Sequence, residues 1–84
     1  MYYKRKPGLY EAFRFGYDIE PQWFVDAVSI ADIDWISNEC CYVNTYYGQR
    51  TANKGDYIVK DLSNHYDVYS SNLFEKHFKQ DEII

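Results

Sequence analysis

No stretch of this 84-residue chain approaches the roughly 20 apolar residues that cross a bilayer as a helix. Its basic start is not followed by the apolar core of a secretory signal. The sequence therefore predicts a soluble, cytoplasmic protein that makes no membrane contact. Cysteine is nearly missing: Cys40 and Cys41 are the only two, and they are adjacent. Neighbours on a strand point to opposite faces, so a disulfide between them is geometrically poor, and a reducing compartment fits. The four glycines stand singly, which excludes a glycine-rich phosphate cradle. Cys40, Cys41, His65 and His77 lack metal-ligand spacing, so no metal and no cofactor is expected. The acidic surroundings of the two thiols should raise their pKa rather than activate a nucleophile. No catalytic residue emerges, and the sequence reads as a non-enzyme.

The most one-sided absence is of positive charge. Residues 16–49 contain no Lys or Arg but carry Asp18, Glu20, Asp26, Asp32, Asp34 and Glu39. Residues 1–15 carry Lys4, Arg5, Lys6 and Arg14 against Glu11 alone. The whole chain has a net charge of −4. A block of one sign projects a negative field. It disfavours general nucleic-acid binding, which needs many phosphate-neutralising cations. In contrast, aromatic residues are abundant, at 20% of the chain with ten tyrosines. Tyrosine suits half-buried sheet faces and interfaces alike.

Residues 1–84 read as one small domain, with 1–6 as a basic arm and 80–84 as a frayed tail. Gly8–Phe15 predicts a strand with Tyr10 and Ala12 on one face and Leu9, Phe13 and Phe15 on the other. Pro21–Ser29 predicts a helix. Pro21 suits the first helical position, Asp18 and Glu20 lie near the positive dipole end, and Phe24, Ala27 and Val28 form the buried stripe. Strands are expected at Asp34–Ser37, Cys40–Tyr47, Asp56–Lys60 and His65–Tyr69, with a short extended piece at Arg50–Ala52. Turns fall at Asn38-Glu39, Gly48, Asn53–Gly55 and Asp61–Asn64. Asn72 and Glu75 have capping-box spacing, predicting a short helix anchored by Leu73, Phe74 and Phe78. The fold class is α+β: an antiparallel twisted sheet, one main helix packed on it and a short C-terminal helix.

Short blocks spread over nearly the whole chain carry a resemblance. Lys6-Pro7 closes a basic, tyrosine-containing opening, and Glu11-Ala12 lies in the strand that follows. Trp23-Phe24 lies in the helix, Gly55-Asp56-Tyr57-Ile58-Val59 in a later strand, and Asn72-Leu73-Phe74-Glu75 near the end. In these blocks the chain resembles a family of small phage and prophage proteins that has no assigned activity. It departs at Lys54, where members often have Pro, and at Asn72, where they have Asp. It departs again over Asn64–Tyr69, where members often have a Gly-Glu-aromatic run before a Pro-Cys pair. The resemblance implies a phage or prophage gene and supplies no site residue.

Two surfaces remain as candidates. The first is an acidic, tyrosine-rich face at Asp26, Asp32, Asp34 and Glu39, suited to a basic site on a host protein. On that reading the protein inhibits a host factor, a defence system such as a CRISPR effector being one candidate. The alternative is a homodimer or larger oligomer that sequesters a nucleotide-like molecule among Tyr3, Arg5, Arg14 and Arg50. It requires those basic side chains to converge.

Overall fold

The computed structural model describes residues 2–4, 9–77 and 79–80. Arg5, Lys6-Pro7, Phe78 and residues 81–84 lie outside the described residues. In chain order the elements are β1 (Tyr2–Lys4), β2 (Leu9–Arg14), α1 (Gln22–Ser29), β3 (Ile33–Trp35) and β4 (Cys40–Thr45). They continue with β5 (Gly48–Asn53), β6 (Tyr57–Asp61), β7 (Tyr66–Tyr69), α2 (Ser71–His77) and β8 (Lys79–Gln80). The strands form one open sheet in the order β3-β4-β7-β6-β2-β1-β8, with β5 paired to β4. Every ladder is antiparallel except a single parallel bridge, Thr45 with Tyr66. The fold is α+β, as the sequence predicts.

Two departures lie at the ends. Tyr2–Lys4, read from sequence as part of a basic arm, is a strand paired with β2 and β8. Gln80, read as the start of a frayed tail, pairs with Tyr3. Backbone pairing with β2 supplies order that the local charge pattern does not encode.

The period-two pattern of the central strands determines which face each side chain fills. Phe13 from β2, Phe15 just past its end, Ile58 from β6 and Val68 from β7 join Phe24 and Ala27 of α1 in one buried cluster. Phe24 is fully buried, with its ring centroid 5.0 Å from Phe13 and 6.1 Å from Phe15. The intervening residues, Ala12 and Val59, turn to the other face and bury Phe74 of α2. Phe74 lies parallel to Tyr57 with centroids 4.0 Å apart. The two helices therefore cover opposite faces of the same central strands. Leu73, expected as an anchor of α2, is half exposed.

Helix ends follow their hydrogen bonds. Pro21 is the N-cap of α1 rather than its first residue, and its carbonyl accepts from the N–H groups of Phe24 and Val25. The Asp18 carboxylate accepts the Arg14 N–H at 2.8 Å and closes the turn that precedes the helix. At the other end, Asp32 N–H donates to Ala27 and Ala31 N–H to Val28. That pair of bonds is a Schellman motif, with Ala31 in the position that glycine favours, at φ 66°. Gly55 takes the positive φ expected of the turn before β6.

The cap of α2 corrects the sequence reading. Ser70, which follows β7, caps the helix rather than Asn72: its Oγ accepts the Leu73 N–H at 3.3 Å, and its carbonyl accepts from Phe74. Asn72 sits inside the first turn, exposed. Ser70→Ala should therefore cost about 1 kcal/mol. Asn72→Ala should be neutral or slightly stabilising, because Ala has the higher helix propensity. Urea denaturation of both variants checks this; equal losses would return the cap to Asn72.

Candidate functional site

Helix α1, strand β3 and the connection between them carry three of the four predicted acidic residues. Asp26 is exposed, and its Oδ1 accepts a 2.9 Å bond from the Gln22 side chain one turn earlier. Asp32 is half-buried where the Schellman motif releases the chain, and its carbonyl accepts the Asn44 N–H at 3.0 Å. That bond begins the β3–β4 ladder, which places Asp34 opposite Tyr42. None of the three carboxylates makes an ion pair among the described residues. Asp34 also lines a depression of about 440 Å³ with Val28, Ala31, Trp35 and Tyr42. The same stretch leaves Val25, Ile30, Trp35 and Ile36 exposed. The Trp35 indole is held by a 2.6 Å bond to the Ser37 carbonyl and sits edge-on to Phe24.

Asp32 and Asp26 share an electrostatic target. The Tyr66 hydroxyl has its pKa raised, first by burial, then by Asp32, then by Asp26. Tyr66 also stacks on Trp23, with centroids 6.0 Å apart. Asp26 and Asp32 both act electrostatically on Tyr66 of β7, whereas Asp34 lies on β3, with β4 between the two strands. Glu39 is not brought to them. It precedes β4, about 10 Å along the strand from the Asp34–Tyr42 pair, and lies 4.0 Å from the Lys54 ammonium.

The basic residues of the alternative reading do not converge among the described residues. Arg14 donates from Nε to the Gly55 carbonyl at 3.2 Å and lies over the Tyr17 ring, 4.5 Å from its centroid. Arg50 is engaged elsewhere, 3.0 Å from the Asp67 carboxylate. Strand β6 runs between β2, which carries Arg14, and β7, which carries Asp67. Tyr3 pairs through its backbone with Tyr10, and Arg5 lies outside the described residues. Lys60 is tied to Glu11 at 3.7 Å.

A third feature went unread in the sequence. Thr45 and Gly48 pair across a two-residue loop, so Tyr46 and Tyr47 form a hairpin tip. The Thr45 hydroxyl fixes the tip by accepting the Tyr47 N–H and donating to the Gly48 carbonyl. Gly48, at φ 116°, supplies the reversal that the two tyrosines do not. The rings stand edge to face, 5.2 Å apart, and are 73% and 86% exposed. Beneath them lies a groove of about 560 Å³, also lined by Tyr10, Tyr66 and Tyr69. Asp61, His65 and Asp67 supply its charged and titratable groups. Asp61 Oδ1 accepts the N–H groups of Ser63 and His65, which shapes the β6–β7 turn. His65 Nδ1 lies 3.4 Å from Asp61 Oδ2, and its ring is 5.4 Å from Tyr46. The Thr-Tyr-Tyr-Gly run was the available local signal. The groove itself joins residues from four parts of the chain.

The cysteines differ from each other. Cys40 is half-buried and Cys41 is fully buried in the α1-side core. The Cys41 thiol is pushed up to about 12, mainly by burial and secondarily by Cys40. Nearby carboxylates, the cause expected from sequence, do not contribute. Among the described residues no group of three or more His, Cys, Asp or Glu is placed to hold a metal ion. No helix among them is long and apolar enough to cross a membrane.

The fold and these surfaces define a small α+β domain with an acidic end and a tyrosine-lined groove. Comparison of the chain with family models, curated proteins and solved structures finds no match.

Burial of Cys41 gives a pH dependence of definite sign. Its folded pKa lies above the ordinary thiol value of 9.0, so the unfolded chain loses this proton first as pH rises. The contribution is fully present below pH 9.0 and is lost progressively as pH rises toward about 12. Wild type should therefore lose stability over that window more steeply than Cys41→Ala. Denaturant midpoints of both proteins across the window check this; parallel curves would contradict it.

Proposed function

We propose that this chain is a non-enzymatic accessory protein of phage or prophage origin that binds a basic surface of a host protein and blocks it. The acidic face on α1 and β3 is the working surface, and Asp26, Asp32 and Asp34 are its charged contacts. One observation carries the reading: these three carboxylates have no ion-pair partner among the described residues, whereas Glu11, Glu39 and Asp67 each have a cation. Unneutralised carboxylates beside exposed Ile30, Trp35 and Ile36 offer a basic partner both steering charge and apolar area. A host defence protein such as a CRISPR effector, with a cationic nucleic-acid channel, presents a complementary surface. The phage origin rests on the sequence resemblance. The alternative reading, a nucleotide-sequestering oligomer, draws no support from Arg14 and Arg50, which are engaged at separate places.

The triple change Asp26→Asn, Asp32→Asn, Asp34→Asn tests the assignment. It should abolish capture of the specific host protein while leaving the thermal melt nearly unchanged, because solvated carboxylates add little stability. Capture by wild type should also weaken steeply with added salt. Quantitative pull-down of wild type and variant at low and high salt measures both. Equal capture by the triple variant would eliminate the acidic-face reading.

A further inference from the structure

We propose that the groove beneath the Tyr46–Tyr47 tip is a binding site for an organic cation, a guanidinium or alkylammonium head group. Three features of the groove select that chemistry. Its walls are dominated by tyrosine, with Tyr10, Tyr46, Tyr47, Tyr66 and Tyr69 all contributing. An aromatic face attracts a cation through its quadrupole, and several converging rings are the recurring solution for ammonium groups that carry no strong donor. The second feature is charge: Asp61 and Asp67 line the groove, and no Lys or Arg does among the described residues. Arg50 offsets part of the Asp67 charge, and Asp61, without a Lys or Arg partner among the described residues, leaves a counter-charge for a cation.

The third feature is a carboxylate oxygen left over. Asp61 is committed, since Oδ1 holds two backbone N–H groups of its own turn and Oδ2 faces His65. Asp67 differs. Its Oδ1 receives Arg50 at 3.0 Å and the Val68 N–H, while Oδ2 has no partner among the described residues. That oxygen can accept a charge-assisted hydrogen bond from a guanidinium or ammonium N–H. Arg50 approaches Asp67 from β5 without lining the groove, so this chain already pairs Asp67 with a guanidinium. A groove of about 560 Å³ has room for such a head group and its alkyl stem. The groove touches the acidic face through Tyr66, but the proposal does not depend on the function proposed for that face.

The cation can arrive as a free small molecule or as a side chain of a basic peptide, and titration distinguishes the two. The probes are tetramethylammonium, N-acetylarginine amide, its neutral isostere N-acetylcitrulline amide, a Gly-Arg-Gly peptide and adenosine monophosphate. Backbone amide shifts of Tyr46–Gly48 and Asp67 report binding. Arginine amide and tetramethylammonium should give saturable shifts at these positions, and citrulline amide should bind at least about tenfold more weakly. Tighter binding of the peptide than of the free amide supports a peptide source; equal binding supports a small molecule.

Tyr46→Ala and Tyr47→Ala should each weaken binding several-fold without moving the thermal melt, because both rings are exposed. Asp67→Asn should weaken binding about tenfold. Arg50→Gln should tighten it by releasing Asp67 Oδ1. Equal affinity for citrulline amide, no saturable shift with any cation, preference for adenosine monophosphate, or weaker binding in Arg50→Gln would each overturn the assignment.

Discussion

The packing of Phe24 against Phe13 and Phe15 is the contact on which the rest of the molecule depends. A domain of this size has one small core, and each buried aromatic is a large share of it. Phe24 joins α1 to β2, its far edge meets Trp35, and Trp35 follows the first residues of β3. Strand β3 then orders β4 through the Ile33–Val43 ladder. The sheet end that carries the acidic residues is thus held in place by one ring. On the reverse face, the Tyr57–Phe74 stack does the same for α2. Because β2 and β6 are paired over five positions, the two faces share a backbone and cannot be built independently.

That arrangement separates stability from recognition. The buried set is apolar throughout, with no buried polar or charged residue among those described. Charged side chains lie outside the buried set, and some of them pair: Lys60 with Glu11, Arg50 with Asp67, Lys54 with Glu39. The exposed pairs, Arg50 with Asp67 and Lys54 with Glu39, contribute little to stability. They remove charge locally, and Asp26, Asp32 and Asp34 are among the described carboxylates that no cation pairs. The tyrosines divide in a similar way: Tyr57 covers core, whereas Tyr46 and Tyr47 project from a turn fixed by Thr45.

Much of the fold was legible in the sequence where the signal was periodic. Alternation assigned the faces of β2 correctly, and Phe24 with Ala27 marked the buried stripe of α1. The turn at 61–64 follows from Asp61 serving as an acceptor for its own loop. Single residues decided the failures. Asn72 and Glu75 have capping spacing, but the chain leaves β7 at Ser70, so the hydroxyl there reaches the free N–H first. Seven residues of α2 could not reveal which face of the sheet it covers. The acidic set was only partly legible: Asp26 and Asp32 both act on Tyr66, but Glu39 lies beside Lys54 of the turn after β5. The tyrosine groove was not legible, because it joins Tyr10, the 46–47 tip and residues 59–69, which only the sheet order brings together.

The most direct test of this account is the stability of Phe24→Ala. Removing a fully buried ring that touches Phe13, Phe15 and Trp35 should cost about 3–5 kcal/mol. Small domains have total stabilities on the order of 5 kcal/mol. The account predicts a variant at or near unfolding at room temperature, seen as loss of near-ultraviolet circular dichroism and a large fall in denaturant midpoint. A variant that melts together with wild type would show that α1 does not anchor the sheet, and would contradict the account at its base.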